Sequence, residues 1–179
     1  MNSYVREANK SDRSKIYRVE ETAFGEIDEA VLVEKLVADP TSQPTVSLLA
    51  FDDDEAVGHI LFTKGSLASA GEELSIMILG PLAVIPDYQK RGIGGQLIEE
   101  GLHRLREAKT DLVFVLGHIE YYPRHGFKPA LPLGFLPPYP TKKGLEDAWM
   151  VLDLSKEGKL DRYSGQVQCA EAFMLPEYW

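Results

Sequence analysis

Apolar positions along the chain recur with two periods, and the switches between them outline the elements. Residues 3–8 (SYVREA) read as a first strand. Behind Ser11 or Asp12 as a cap, Ile16, Val19, Ala23 and Phe24 keep helical spacing, and a second helix over residues 28–38 would bury Val33, Leu36 and Val37. Residues 45–51 (TVSLLAF) and 56–63 (AVGHILFT) alternate as two strands. Between them Asp52, Asp53, Asp54 and Glu55 read as a solvated acidic turn.

Residues 73–85 contain a long apolar strand interrupted by Gly80 and Pro81. Proline cannot donate to a ladder, so a bulge or splay is predicted there. From residue 92 to about residue 109, Ile93, Leu97, Ile98, Leu102 and Leu105 trace one face of the clearest helix in the chain. The short apolar run DLVFVLG (111–117) is of the kind buried in a sheet, so strand, helix and strand predict a parallel pair joined by a crossover helix. A helical turn over 121–125, a proline-rich stretch over 129–140 and late strands at 148–154 and 167–173 complete the pattern. This order predicts an α/β (α+β) fold with a mixed central sheet flanked by helices.

With 179 residues the chain reads as one domain, residues 1–179, able to bury roughly 70% of its unfolded surface. Cys169 is the one cysteine, which excludes an internal disulfide; Cys/His clusters of metal type are missing, so no metal is expected and a reducing cytoplasm is the natural setting. No apolar stretch reaches the ~20 residues of a membrane helix, and the first residues are too polar for a signal peptide. A formal charge of -9 argues against general nucleic-acid binding.

The chemistry concentrates in QKRGIGG (89–95), between an apolar strand and the strongest helix. Free N–H groups at a helix start suit an anion, and Gly92, Gly94 and Gly95 would let phosphate oxygens reach the main chain while Lys90 and Arg91 add charge. A Walker loop does not fit these letters, and a dinucleotide loop needs glycine where Leu97 stands. What does fit is Q-x-x-G-x-G, with Gln89, Gly92 and Gly94 following Leu82, Ala83 and Val84. Here the sequence resembles the GNAT superfamily of acyl-CoA-dependent N-acyltransferases. A second stretch, GHIEYYPRHGFKPA (117–130), repeats that superfamily's Y-x-x-x-G-F spacing with Tyr122, Gly126 and Phe127. LGPLAV paired with YYPRHGFKPA looks most like its YhbS-like N-acetyltransferases.

The resemblance implies a sheet whose two middle strands splay, with the pantetheine arm of acetyl-CoA, the co-substrate, in the gap. Main-chain groups at Leu82, Ala83 and Val84 would hold the arm; those of Gln89, Lys90, Arg91, Gly92, Ile93, Gly94 and Gly95 would hold the pyrophosphate. A primary amine, of a small molecule or a protein, would attack the thioester directly, so no nucleophilic side chain is needed. Tyr122 matches the superfamily's frequent general acid, while Tyr121 packs or contacts substrate; an irregular turn would exchange their roles. Some relatives carry a glutamate in the central strand, yet SIMIL (75–79) has none, which leaves Glu20, Glu21, Glu72, Glu73, His59, His118 or a water path as bases.

His118 stands where other relatives have asparagine. Cys169 reads as a buried apolar residue, His103 and His125 as surface residues, and LPLGFLPPYP (131–140) as a substrate-side flap or a cover for the sheet edge. The competing reading is a non-catalytic acyl-CoA-binding regulatory module. The sequence also leaves room for a homodimer.

Overall fold

The computed structural model describes residues 3–179, the side chain of Glu72 excepted. Strand β1 (Ser3–Glu7) leads into helices α1 (Arg13–Phe24) and α2 (Asp28–Ala38), followed by β2 (Val46–Asp52), β3 (Glu55–Leu67) and β4 (Ile76–Val84). Helix α3 (Ile93–Glu107) crosses over to β5 (Leu112–Leu116). The later strands are β6 (Lys128–Pro129), β7 (Phe135–Leu136), β8 (Trp149–Asp153) and β9 (Gly165–Gln168).

The main sheet runs β1-β2-β3-β4-β5-β8-β6, with β9 on the far end of β3 and β7 beside β9. Among the described residues the β4–β5 and β7–β9 pairs are parallel and the others antiparallel. The sheet is therefore mixed, as the sequence order predicts, and mostly antiparallel.

Helices cover both faces, and adjacent residues of β3 show which helix lies where. Gly58 packs under Leu97 and Ile93 of α3, whereas His59, pointing the opposite way, meets Glu20 of α1. The α3 stripe Ile93, Leu97, Ile98, Leu102 and Leu105 is buried as its spacing predicts. Each such side chain removed from water contributes roughly 1.5–3 kcal/mol. Close approach is made by Gly101, whose missing Cβ leaves room for the buried Phe62 ring.

Several expectations are corrected. Val37 is 51% exposed rather than buried, because it lines a cleft between α1 and α2; Phe24, which ends α1 before the left-handed Gly25, is 42% exposed. Asp12 stands at the N-cap of α1, as one of the two predicted candidates, but its side chain makes no cap bond. Asn9 instead caps the preceding 3-10 turn, and Asp12 turns inward to a bidentate pair with Arg6 at 2.7 and 2.9 Å. Strand β3 runs past residue 63 because Ser66 and Leu67 pair with β9. The predicted strand at 167–173 breaks after Gln168, since the N–H groups of Glu171 and Ala172 donate to Thr41 and Asp39 at the end of α2.

Residues 131–140 cover the sheet. Phe135 is fully buried and accepts the Trp149 indole N–H, and the Pro137 and Pro138 carbonyls accept from Gln166.

Candidate active site

The site begins with one extra residue in β4. Ile60 pairs with Leu82 and Phe62 with Leu79, so β4 spends an additional position between them, where Gly80 and Pro81 stand. Pairing with β5 runs from Ile76↔Leu112 to Leu79↔Val115 and stops at the same place. Beyond it β4 continues against β3 alone, and the edge that faced β5 is free. The Ile85 N–H bonds back to Val57 on β3, so by alternation the peptide groups of Leu82 and Val84 face the fork. Consistently, the Val84 carbonyl accepts a 3.0 Å bond from the Gln89 amide. Ala83 is buried opposite His59.

Gln89 thus ties the fork to the glycine turn. Gly92 is left-handed (φ 85°) and precedes Ile93, the first residue of α3, whose own side chain is buried. The first helical bond runs from Gln96 to Gly92, leaving the N–H groups of Ile93, Gly94 and Gly95 without helical acceptors, and no side chain caps them. Lys90 and Arg91 are exposed beside this turn, the Arg91 guanidinium 5.0 Å from the Tyr88 ring centre. Positive main-chain groups and two cations therefore converge at the end of the fork, an arrangement that suits a diphosphate.

Two aromatic side chains lean on the same helical turn. A Cβ at Gly94 would lie 2.5 Å from the Tyr121 hydroxyl, and one at Gly95 would lie 3.6 Å from His125 Cε1. Tyr121 packs against the core, and its ring meets Tyr122 edge-on at 5.3 Å. His125 is not a surface residue: it is half-buried, its Nε2 lacks a partner, and burial holds its pKa below the ordinary value. His103 is exposed beside Glu107, as expected.

Physical reasons for the Y-x-x-x-G-F spacing are visible around Tyr122. The N–H groups of Tyr121 and Tyr122 donate to the His118 carbonyl, a 3-10 turn spans Tyr122–His125, and Gly126 reverses the chain at φ 92°. Phe127 then packs back on the Tyr122 ring at 5.7 Å. Gly117 completes the cradle, because any Cβ there would overlap that ring. Burial, with Tyr121 adding, raises the Tyr122 phenol pKa well above its ordinary value. The hydroxyl is protonated throughout the neutral range.

A cavity of about 400 Å³ opens at the fork. Its walls come from Gly80, Pro81 and Leu82 of β4, Leu116, Gly117 and His118 at the end of β5, and Tyr122. Phe24 and Glu29 enter from the α1–α2 corner, Tyr178 and Trp179 from beyond β9.

The predicted bases are distributed unevenly about this cavity. His118 lines it, whereas Glu20 and His59 do not. Those two are fully buried on the α1 face, Glu20 Oε1 2.5 Å from His59 Nδ1, while His59 Nε2 meets the Ser47 hydroxyl at 2.9 Å. Glu21 and Glu73 are exposed outside the cavity, and the Glu72 side chain lies outside the described residues. Glu29 and Gly117 were not legible as site residues. Glu29 reads in sequence as an ordinary acid in a helix's first turn, and its position one turn after the Gly25 corner is the single hint. Burial pushes the Cys169 thiol up to about 12, so it is no nucleophile at neutral pH.

The family model "Acetyltransferase (GNAT) domain" matches residues 4–130. The Escherichia coli (strain K12) protein "Uncharacterized N-acetyltransferase YjhQ" is 44% identical over 164 residues, 91% of this chain and 90% of its own. "Uncharacterized N-acetyltransferase YhbS" of the same strain is 33% identical over 130 residues, 72% of this chain and 74% of its own. A crystal structure of Escherichia coli YhbS in complex with CoA superposes with a TM-score of 0.85 at 29% identity, covering 97% of this chain and 92% of that one. A Brucella melitensis GNAT-family acetyltransferase in complex with acetyl-CoA gives 0.75 at 29% identity, covering 96% and 98%. With its forked strands, glycine turn and family match together, the chain belongs to the GNAT family of acetyltransferases.

Proposed function

We propose that this chain, acting as a single domain in the cytoplasm, moves the acetyl group of acetyl-CoA to a primary amine of a small molecule or protein, with Tyr122 as the general acid. The observation that carries the reading is a protonated, buried tyrosine at a fork whose free strand edge leads to an uncapped helix start. The relatives support it: YhbS is seen with CoA and the Brucella protein with acetyl-CoA.

Leu82 and Val84 offer main-chain groups to the pantetheine amides, as an added strand would, and Gly80 to Leu82 bring the thioester into the cavity. The N–H groups of Ile93, Gly94 and Gly95, with Lys90 and Arg91, take the pyrophosphate. Charge-assisted bonds of this kind contribute roughly 1.5–3 kcal/mol each. The amine attacks the thioester carbon, a C–N bond forms, and the C–S bond breaks with its electron pair leaving on sulfur. Tyr122 donates its proton to that sulfur, and the nitrogen's remaining surplus proton restores the phenol.

Incubation with acetyl-CoA and an amine panel, monitored by release of free thiol, tests the reading. Thiol release above background hydrolysis is expected, and Tyr122→Phe should lower turnover by about 10²–10⁴ with acetyl-CoA affinity little changed. Tight CoA binding with no amine-dependent release would replace this reading with that of a binding module.

A further inference from the structure

The fork cavity holds a carboxylate that the mechanism above does not use. Glu29 lines it together with Tyr122, and its Oε2 is buried without a hydrogen-bond donor. Buried carboxylate oxygens in folded proteins nearly always have a partner, so an unpaired one on a residue that lines a cavity points to a ligand that donates. The charged groups around it are carboxylates, and a tyrosine and a histidine are the other titratable ones. Glu20 stands on α1, Glu26 in the helix corner, Asp28 beside it on α2, Glu177 and Tyr178 beyond β9, and His118 after β5. Among the described residues no Lys or Arg lines the cavity.

Burial, then the charges of Glu26, Glu20 and Asp28, raise the Glu29 pKa above the ordinary carboxylate value, which moves it toward that of a useful base. The other walls are apolar or aromatic, including Phe24, Leu32, Phe173 and Trp179.

We infer that Glu29 binds the acceptor's ammonium group and takes its proton, and that the acceptor is a primary amine carrying an apolar or aromatic body. The inference rests on the acetyltransferase reading and supplies the base that β4 lacks. One proton passes from R–NH3+ to the Glu29 carboxylate, giving R–NH2, whose lone pair attacks the thioester carbon. After the amide forms and CoA leaves as the thiol, Glu29 releases its proton to water. The balance is amine cation plus acetyl-CoA to amide, CoA and one proton.

Phenethylamine is the probe, with Glu29→Gln as the isosteric variant and the thermal midpoint as the folding control. The variant should lose about 10²–10⁴ in kcat/KM for the amine at neutral pH while binding acetyl-CoA within about twofold of the parent. Its residual rate should climb about tenfold per pH unit toward the amine's own pKa, because only already neutral amine can react. Retention of the parent's rate and pH profile in Glu29→Gln would overturn the base. Equal acetylation of glucosamine and phenethylamine would overturn the apolar body.

Calorimetry separates this inference from the reading beneath it. The parent should bind phenethylamine but not phenethyl alcohol, and Glu29→Gln should lose that preference. If the parent binds CoA and acetylates nothing, the acetyltransferase reading fails, and amine binding lost in Glu29→Gln still sustains the ammonium site. Amine binding that the substitution leaves unchanged, or no amine binding at all, overturns it.

Discussion

Gly117→Ala isolates the positioning of Tyr122 from every other feature of the fork. The new Cβ would lie 2.8 Å from Tyr122 Cδ2 and 3.2 Å from Cζ, inside the 3.4–4 Å of ordinary contact, and would overlap the ring edge between them. The ring cannot swing freely, since Phe127 and Tyr121 close on it at 5.7 and 5.3 Å between centroids. It must retreat by on the order of 1 Å, a misplacement that can cost about 10²-fold in turnover. Overpacking of this kind also destabilises by roughly 1–3 kcal/mol, or a few degrees in thermal midpoint for a domain of this size. Activity and stability should separate in a cycle with Tyr122→Phe. Because the phenylalanine keeps the ring but has no hydroxyl to misplace, adding Gly117→Ala should lower the midpoint again yet leave turnover unchanged. Thiol release and thermal melting of the four proteins measure both. Additive losses of turnover in the double variant, or a Gly117→Ala enzyme as active as the parent, would refute the reasoning.

Gly94→Ala places a Cβ 2.5 Å from the Tyr121 hydroxyl at the proposed diphosphate turn and should weaken CoA binding about tenfold by calorimetry; Tyr121→Phe in the same chain should restore part of it. Gly101→Ala sets a helix-propensity gain of about 1 kcal/mol against collision with the immobile Phe62 ring, and the collision wins: urea unfolding should show a net loss, and a stabilised variant would contradict the packing. Asp12→Asn removes a buried carboxylate that Arg6, the Asn9 N–H and Lys15 hold well below its ordinary pKa. Its contribution, about 1–3 kcal/mol, is fully present above the unfolded carboxylate value near 4 and is lost as pH falls through the depressed folded value. Parent and variant should therefore differ in urea at pH 7 and converge in strong acid; a gap that persists there would assign the loss to packing.

Periodicity made most of the fold legible because the sheet is buried on both faces. Apolar runs such as residues 76–79 and 112–116 have no other stable place, and the α3 stripe has one face to bury. The β4 irregularity was legible too, since proline has no N–H to give a ladder. Legibility failed where a side chain from a distant segment decides the backbone. The end of β9 depends on Thr41 and Asp39, more than a hundred residues away in sequence, and no local pattern encodes that. Val37 failed differently: it continues an apolar helix face, but its neighbours leave a cleft open over it.

In the site the division follows the chemistry. The main-chain geometry of the candidate site was legible, because glycines at a helix start and a proline in a strand carry their conformation with them. Side-chain functions divided by whether a local turn fixes them. Tyr122 is held by the 3-10 turn, Gly126 and Phe127, all within a few residues, so its motif announced it. Glu29 reaches the fork from the corner between two helices, and His125 and Tyr121 reach the start of α3 from the turn after β5. The same distinction explains how one cofactor edge can serve many acceptors. On the proposed function, the free edge of β4 and the glycine turn would meet groups shared by every acyl-CoA through backbone, which tolerates variation in side chains. On the same proposal, acceptor recognition would fall to the α1–α2 corner and the segment beyond β9, where a single residue such as Glu29 would change the amine without disturbing the fork.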